Sequence, residues 1–189
     1  EAAIRSGLDA DILLTVGGVS VGDHDLVQDA LRASGVQIDF WKVAVRPGKP
    51  LCVGATSTTT VLGLPGNPMS AWVTFELFAR PLIRRLLGDP SPFRPFVWAR
   101  LASAVPPSPN RTQLVRCSLE WDPARMPLAR PTDRQGSGSL RSLVAADALA
   151  VLVPGEGNVP AGTVAPCLML RDGGSSAVSA LAPDVRWQG

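Results

Sequence analysis

The sequence predicts an α/β domain followed by a small all-β, barrel-like domain. Three observations carry this. Residues 11–34 read as a buried strand, a glycine-rich loop and a helix, the front half of a βαβ unit. Residues 68–87 carry an apolar stripe at helical spacing. Beyond the Pro-rich stretch 89–95 the texture changes to short strand-like runs between Pro and Gly clusters. The domains are expected at 1–89 and 96–185.

The chain opens on E-A-A-I-R-S-G-L, the tail of an amphipathic helix, without an initiating Met, so an N-terminal part is expected to precede it. D-I-L-L-T-V, residues 11–16, is a run of branched apolar residues suited to a buried parallel strand. A helix is expected from about Asp25 to Ser34, with Gly35 as its stop. D-F-W-K-V-A-V-R-P, residues 39–47, reads as one strand ending at a Pro-Gly turn. Strands at 51–55 and 61–64 flank a polar hairpin tip at 56–60. Asn67 is a good N-cap for the long helix, and Pro68 suits its first position, where no N–H is needed. Trp72, Phe75, Ala79, Leu82, Ile83 and Leu86 form the expected stripe, and Pro81 predicts a kink near Leu77 or Phe78. Gly88 ends this helix. Strand runs follow at 96–105, 112–121, 148–153 and 163–170, with a short helix within 137–147.

Hydrophobic residues make up 46% of the 189, enough to bury a core, and the net charge is only +2. So even a balance points to neither nucleic acid nor membrane as a partner. The three cysteines, Cys52, Cys117 and Cys167, are far apart and odd in number, which argues against a disulfide framework and a structural zinc site and fits the cytoplasm best. The single histidine, His24, cannot build a metal site alone. Sixteen of the 18 cations are Arg, whereas the two Lys, Lys42 and Lys49, fall within eight positions of each other. Lys is a compact point charge and Arg a planar fork, so the pairing has chemical meaning.

Three segments follow strand candidates and could hold an anion. In G-G-V-S-V-G-D-H-D, glycines at a helix start would let a phosphate reach the backbone, or would simply make the turn while Asp23 or Asp25 caps the helix. Lys42, Arg46 and Lys49 crowd one segment. They either surround an oxyanion or form a solvated basic edge that discourages aggregation. In a continuous strand Lys42 and Arg46 would share a face. G-L-P-G-N-P is either a plain strand-to-helix turn or a rigid wall with free amides at a helix start. Ligands of open α/β sheets bind outside the carboxyl ends of strands. The basic loop joins the other two there only if its strand runs the same way.

G-G-V-S-V-G-D-H-D, F-W-K-V-A-V-R-P-G-K-P and G-L-P-G-N-P-M-S-A, in this order, resemble the molybdopterin molybdenumtransferases, including the C-terminal domain of gephyrin. The likeness is strong over 11–88 and continues more weakly to about residue 170. It implies a three-layer molybdopterin-binding α/β domain, here N-terminally incomplete, followed by a β-barrel domain. It implies conversion of adenylylated molybdopterin and molybdate to molybdenum cofactor and AMP, with Mg²⁺ as cofactor, by a homodimer. On that resemblance Asp25 is the catalytic and metal-binding carboxylate, and Lys42 and Lys49 are catalytic cations. Arg46 replaces a further lysine, and Val16 stands where the family often has Ser or Thr. Gly17, Gly18, Ser20 and Gly22 would cradle phosphate, and Pro65, Gly66 and Pro68 would bind substrate as a wall. Another strand and acidic residue would lie upstream, so this span alone is expected to be inactive. The alternatives are a molybdopterin adenylyltransferase-like enzyme, which shares the glycine loop, and a non-catalytic scaffold of the gephyrin type.

Overall fold

Apolar strands build two separate sheets in the computed structural model. The structure describes residues 1–18, 26–132, 135 and 144–171. The chain divides into two units, Glu1–Phe93 and Arg94–Gly189.

In the first unit β1 (Ile12–Val16), β5 (Thr60–Leu64), β4 (Pro50–Ala55) and β2 (Gln37–Lys42) lie side by side in that order. β1 pairs with β5 in parallel, whereas β5–β4 and β4–β2 are antiparallel. Two reversals restore direction, so β1, β5 and β2 all run the same way. α1 (Ala2–Gly7) and α2 (Leu26–Ala33) contribute to a cluster on one face, where Leu31, Val36, Cys52 and Val61 are buried with Ile4, Leu8, Leu13 and Val27 against them. On the other face of β5, Leu62 and Leu64 are buried, and α3 (Pro68–Thr74) contacts that strand. This is the layered α/β arrangement the sequence predicts. Gly35 stops α2 in a left-handed conformation (φ +85°), as expected of a helix-ending glycine.

Two details differ from expectation. The strand expected over 39–47 is broken: β2 stops at Lys42, and only Val45–Arg46 (β3) is extended beyond it. Past Lys42 the Val43 N–H donates to the Lys49 carbonyl (3.0 Å), one step further along the β2–β4 pairing, and closes the loop between them. Lys42 and Arg46 therefore do not share a face by strand period. The long helix is also interrupted. α3 passes into a π turn (Phe75–Ala79) and then α4 (Arg80–Leu86), with the Arg80 N–H donating to the Phe75 carbonyl. Pro81 has no N–H and its ring crowds the carbonyl four residues back, so an ordinary α turn fails at the kink foreseen near Leu77 and Phe78. The extra residue rotates later side chains by about 100°. Leu86 lies outside the expected stripe and is 58% exposed, and already before the π turn the buried side is Met69, Ser70, Val73 and Thr74, with Trp72 half-buried.

The second unit is a closed five-stranded barrel. β6 (Phe96–Leu101), β7 (Thr112–Asp122), β8 (Arg125–Pro131), β9 (Ala148–Leu152) and β10 (Val164–Met169) supply it. The order is β7-β8-β6-β10-β9, and β9 pairs back onto β7. Inward residues alternate along each strand, with Val97, Ala99 and Leu101 from β6 and Val115, Cys117 and Leu119 from β7 in one buried cluster. β8 was not foreseen. Most of 137–147, where a short helix was expected, lies outside the described residues.

Candidate functional site

Because β1, β5 and β2 are codirectional, the loops after all three leave from the same edge of the sheet. This answers the orientation question that the sequence left open. Neighbouring strands lie about 4.8 Å apart, which puts the ends of β1 and β2 about 14 Å apart across that edge.

The first two loops touch. The Gly17 N–H donates to the Leu64 carbonyl (3.0 Å), extending the β1–β5 ladder by one bond. A side chain at Gly66 would begin 3.3 Å from the Gly17 Cα, so the two backbones are in contact there. Gly17 (φ +84°) and Gly18 (φ +69°) are both left-handed. At Gly18 a Cβ would also fall 2.2 Å from the Val27 Cγ2 of α2, so a side chain is excluded on two grounds. Ser20, Gly22 and Asp25 lie outside the described residues, as does His24.

Pro65 is buried, whereas Gly66 and Pro68 are exposed at the edge. The expected free amides of α3 are not found. The Asn67 side-chain oxygen accepts from the Met69 N–H (3.1 Å) and the Ser70 N–H (3.3 Å), and Pro68 has none to give. The segment therefore presents a stiff wall and not an anion-binding helix end. The capping residue that sequence reasoning did identify consumes the donors.

The third loop carries the cations. Lys42, Arg46 and Lys49 are all exposed, and none forms an ion pair with a described residue. The Arg46–Pro47 peptide is cis. The loop does not project from the sheet. Buried Gly48 (φ +116°) lies against α3: a Cβ there would stand 2.9 Å from the Thr74 Cγ2 and 3.8 Å from the Ser70 carbonyl oxygen. Thr74 was not foreseen as part of the site. It lies 26 positions from Gly48, and no local pattern links the two. Among the described residues no group of three or more His, Cys, Asp or Glu could hold a metal ion.

Comparison with known proteins agrees with this layout. Residues 1–85 match the family described as "Probable molybdopterin binding domain", and residues 98–170 match the "MoeA C-terminal region (domain IV)". The chain is 35% identical over 167 residues to a molybdopterin molybdenumtransferase of Haemophilus influenzae, covering 86% of this chain and 40% of that protein. To the Bacillus subtilis molybdopterin molybdenumtransferase it is 33% identical over 172 residues, covering 90% and 40% respectively. Gephyrin of Dictyostelium discoideum is 34% identical, over 85% of this chain and 26% of its own length. Among solved structures, a molybdopterin biosynthesis MoeA protein from Pyrococcus horikosii superposes with a TM-score of 0.72 at 27% identity, covering 90% of this chain and 40% of that one. Fold and sequence together define an α/β domain of the family described as "Probable molybdopterin binding domain", followed along the chain by a β domain of the MoeA C-terminal type. The chain belongs to the molybdopterin molybdenumtransferase family, and it spans 26–40% of the length of these three curated relatives.

Proposed function

We propose that the chain forms the catalytic core of a molybdenum-inserting transferase. Adenylylated molybdopterin and molybdate are its substrates, and molybdenum cofactor and AMP its products. One observation carries the reading: the loops after β1, β5 and β2 leave one sheet edge together, with glycine backbone, a Pro-Gly wall and three exposed cations that form no ion pair with a described residue. The β domain matched at 98–170 favours this over an adenylyltransferase, which lacks it.

The chemistry needs two anions held close together, molybdate and the pyrophosphate of the adenylylated pterin. Their repulsion is the first barrier. Lys42, Arg46 and Lys49 offset it, and being unpaired they need break no ion pair with a described residue to do so. Gly17, whose own N–H is held by Leu64, and Gly18 leave the backbone bare of side chains, and with Ser20 and Gly22 they are assigned to the approach of the phosphates. Pro65, Gly66 and Pro68 hold the ligand from the β5 side and limit its freedom before reaction. Arg46 suits two oxygens of one anion, where a lysine would offer a point charge. Mg²⁺ is the expected counter-ion of the pyrophosphate, and Asp25 its expected ligand. The described residues alone do not build a site for it, so the roles assigned here belong to the chain's own cations and amides.

The complete protein is proposed to work as a cytoplasmic homodimer. Leu86, Leu87 and Phe93, at 58%, 81% and 72% exposure, give the first unit an apolar surface for it. The residues first expected to do so, Trp72, Phe75, Phe78 and Leu82, are half-buried. No helix among the described residues is long and apolar enough to cross a membrane.

The test is molybdenum insertion by the complete protein carrying Lys49→Ala. A charge-assisted contact contributes about 1.5–3 kcal/mol, so turnover at limiting molybdate falls by roughly 10- to 100-fold. Unchanged turnover in a folded variant overturns the assignment.

A further inference from the structure

The turn that bears Lys49 is seated on a helix, and one side chain makes the seat. Thr74 is the last residue of α3 and is fully buried. Its hydroxyl donates into its own helix, to the Ser70 carbonyl (2.9 Å) and the Ala71 carbonyl (3.0 Å). These bonds lock its rotamer, so its γ-methyl points in one fixed direction. That methyl is what a Cβ at Gly48 would strike, at 2.9 Å. Gly48 adopts φ +116°, which side-chain-bearing residues rarely adopt, and its burial leaves no room for the turn to sink further. The turn is also tied at its ends, by the Lys42–Pro50 pair of the β2–β4 ladder and by the Val43 N–H to the Lys49 carbonyl (3.0 Å). Its ends are fixed by the sheet and its apex rests on Thr74.

We propose that Thr74 is a positioning residue for Lys49, its γ-methyl forming the floor under Gly48 that sets where the ammonium group stands at the anion site. This rests on the assignment of Lys49 to molybdate binding made above. Thr74 touches no substrate and acts through the turn alone. The methyl does the positioning, and the hydroxyl serves only to aim it.

The two parts of the side chain can be removed separately. Thr74→Ser keeps the hydroxyl and deletes the floor. Thr74→Val keeps a methyl in the same place and deletes both hydrogen bonds. A purely structural role, in which the buried hydroxyl matters to the helix, makes Val the worse variant in every measurement. Positioning reverses that order for molybdate alone. In the complete protein Thr74→Ser raises the KM for molybdate by roughly tenfold, with kcat changed less, because the cation is displaced from its contact. Thr74→Val keeps the wild-type KM for molybdate even if its melting temperature drops. Lys49→Ala is run alongside. A raised KM in Lys49→Ala with equal KM values in Thr74→Ser and the wild type overturns the positioning role alone. An unchanged KM in Lys49→Ala overturns the assignment on which it rests. Should Thr74→Ser fail to fold, a raised KM in folded Thr74→Val is sufficient to overturn the proposal, and a wild-type KM supports it.

Discussion

At the scale of single residues, Lys42, Arg46 and Lys49 keep their charges available to an anion, because all three are exposed and no described residue forms an ion pair with them. Lys42 and Lys49 stood out because all sixteen other cationic side chains are Arg, and the structure finds both exposed without an ion-pair partner among the described residues. Gly17 and Gly18 were legible because left-handed backbone favours glycine. Thr74 was illegible because its role depends on a packing contact with a distant turn, and distant packing leaves no local periodicity. The cysteines make a residue-scale prediction. All three are buried, and burial pushes Cys117 and Cys167 up to about 12, with the neighbouring Cys117 adding to the effect at Cys167. The thiolate is the reactive form, so the native chain should react negligibly with an aromatic disulfide reagent at pH 8 and fully after denaturation. The sign of the pH effect follows. An ordinary thiol here ionises near 9.0, so the unfolded chain releases these protons first, and stability contributed below pH 9 is lost between about 9 and about 12. Denaturant midpoints measured across that range should fall steadily; a flat profile contradicts the burial of both thiols.

Elements were legible where they obeyed one period and obscure where they changed it. β1, α2, the β4–β5 hairpin and the start of α3 fell where apolar spacing, Gly35 and the Asn67-Pro68 pair put them. β8 was missed because R-M-P-L-A-R-P carries two prolines and two arginines and reads as a loop; only its pairing with β7, and with β6 at Leu128 and Ala129, makes it a strand. The break between β2 and β3 was missed because the alternation continues through it, while the Val43 N–H donates to the Lys49 carbonyl and closes a loop that no side-chain pattern marks. The capping of α3 gives a prediction at this scale. Asn67 satisfies two amides in the first turn of α3, which have no partner within the helix itself. Asn67→Ala should lower stability by about 1 kcal/mol in chemical denaturation. An unchanged midpoint would mean that the wall is held by its prolines alone.

For the whole molecule, the division at Phe93–Arg94 separates an open sheet covered by helices from a barrel with its own closed core. The change of texture beyond 89–95 made that division legible in the sequence, because short strands closing on themselves need frequent turn residues. Closure leaves the barrel no unpaired edge within its own strand order, and its buried cluster is drawn from the second unit only. Residues 94–189 expressed alone should therefore unfold in one cooperative thermal transition, followed by circular dichroism. A gradual, featureless melt would show that the barrel depends on the first unit. The direction of β4 has a practical consequence. Because that strand runs opposite to its neighbours, the tip joining it to β5 points away from the edge that carries the three candidate loops. There Thr56 accepts from the Thr59 N–H (3.0 Å), and the Thr59 hydroxyl anchors the tip to the Leu8 carbonyl (2.7 Å), leaving Ser57 and Thr58 exposed between them. Those two positions are a natural mounting point for a fluorophore or a surface tether, where a label can report on the molecule without standing in the path of anything entering the opposite side.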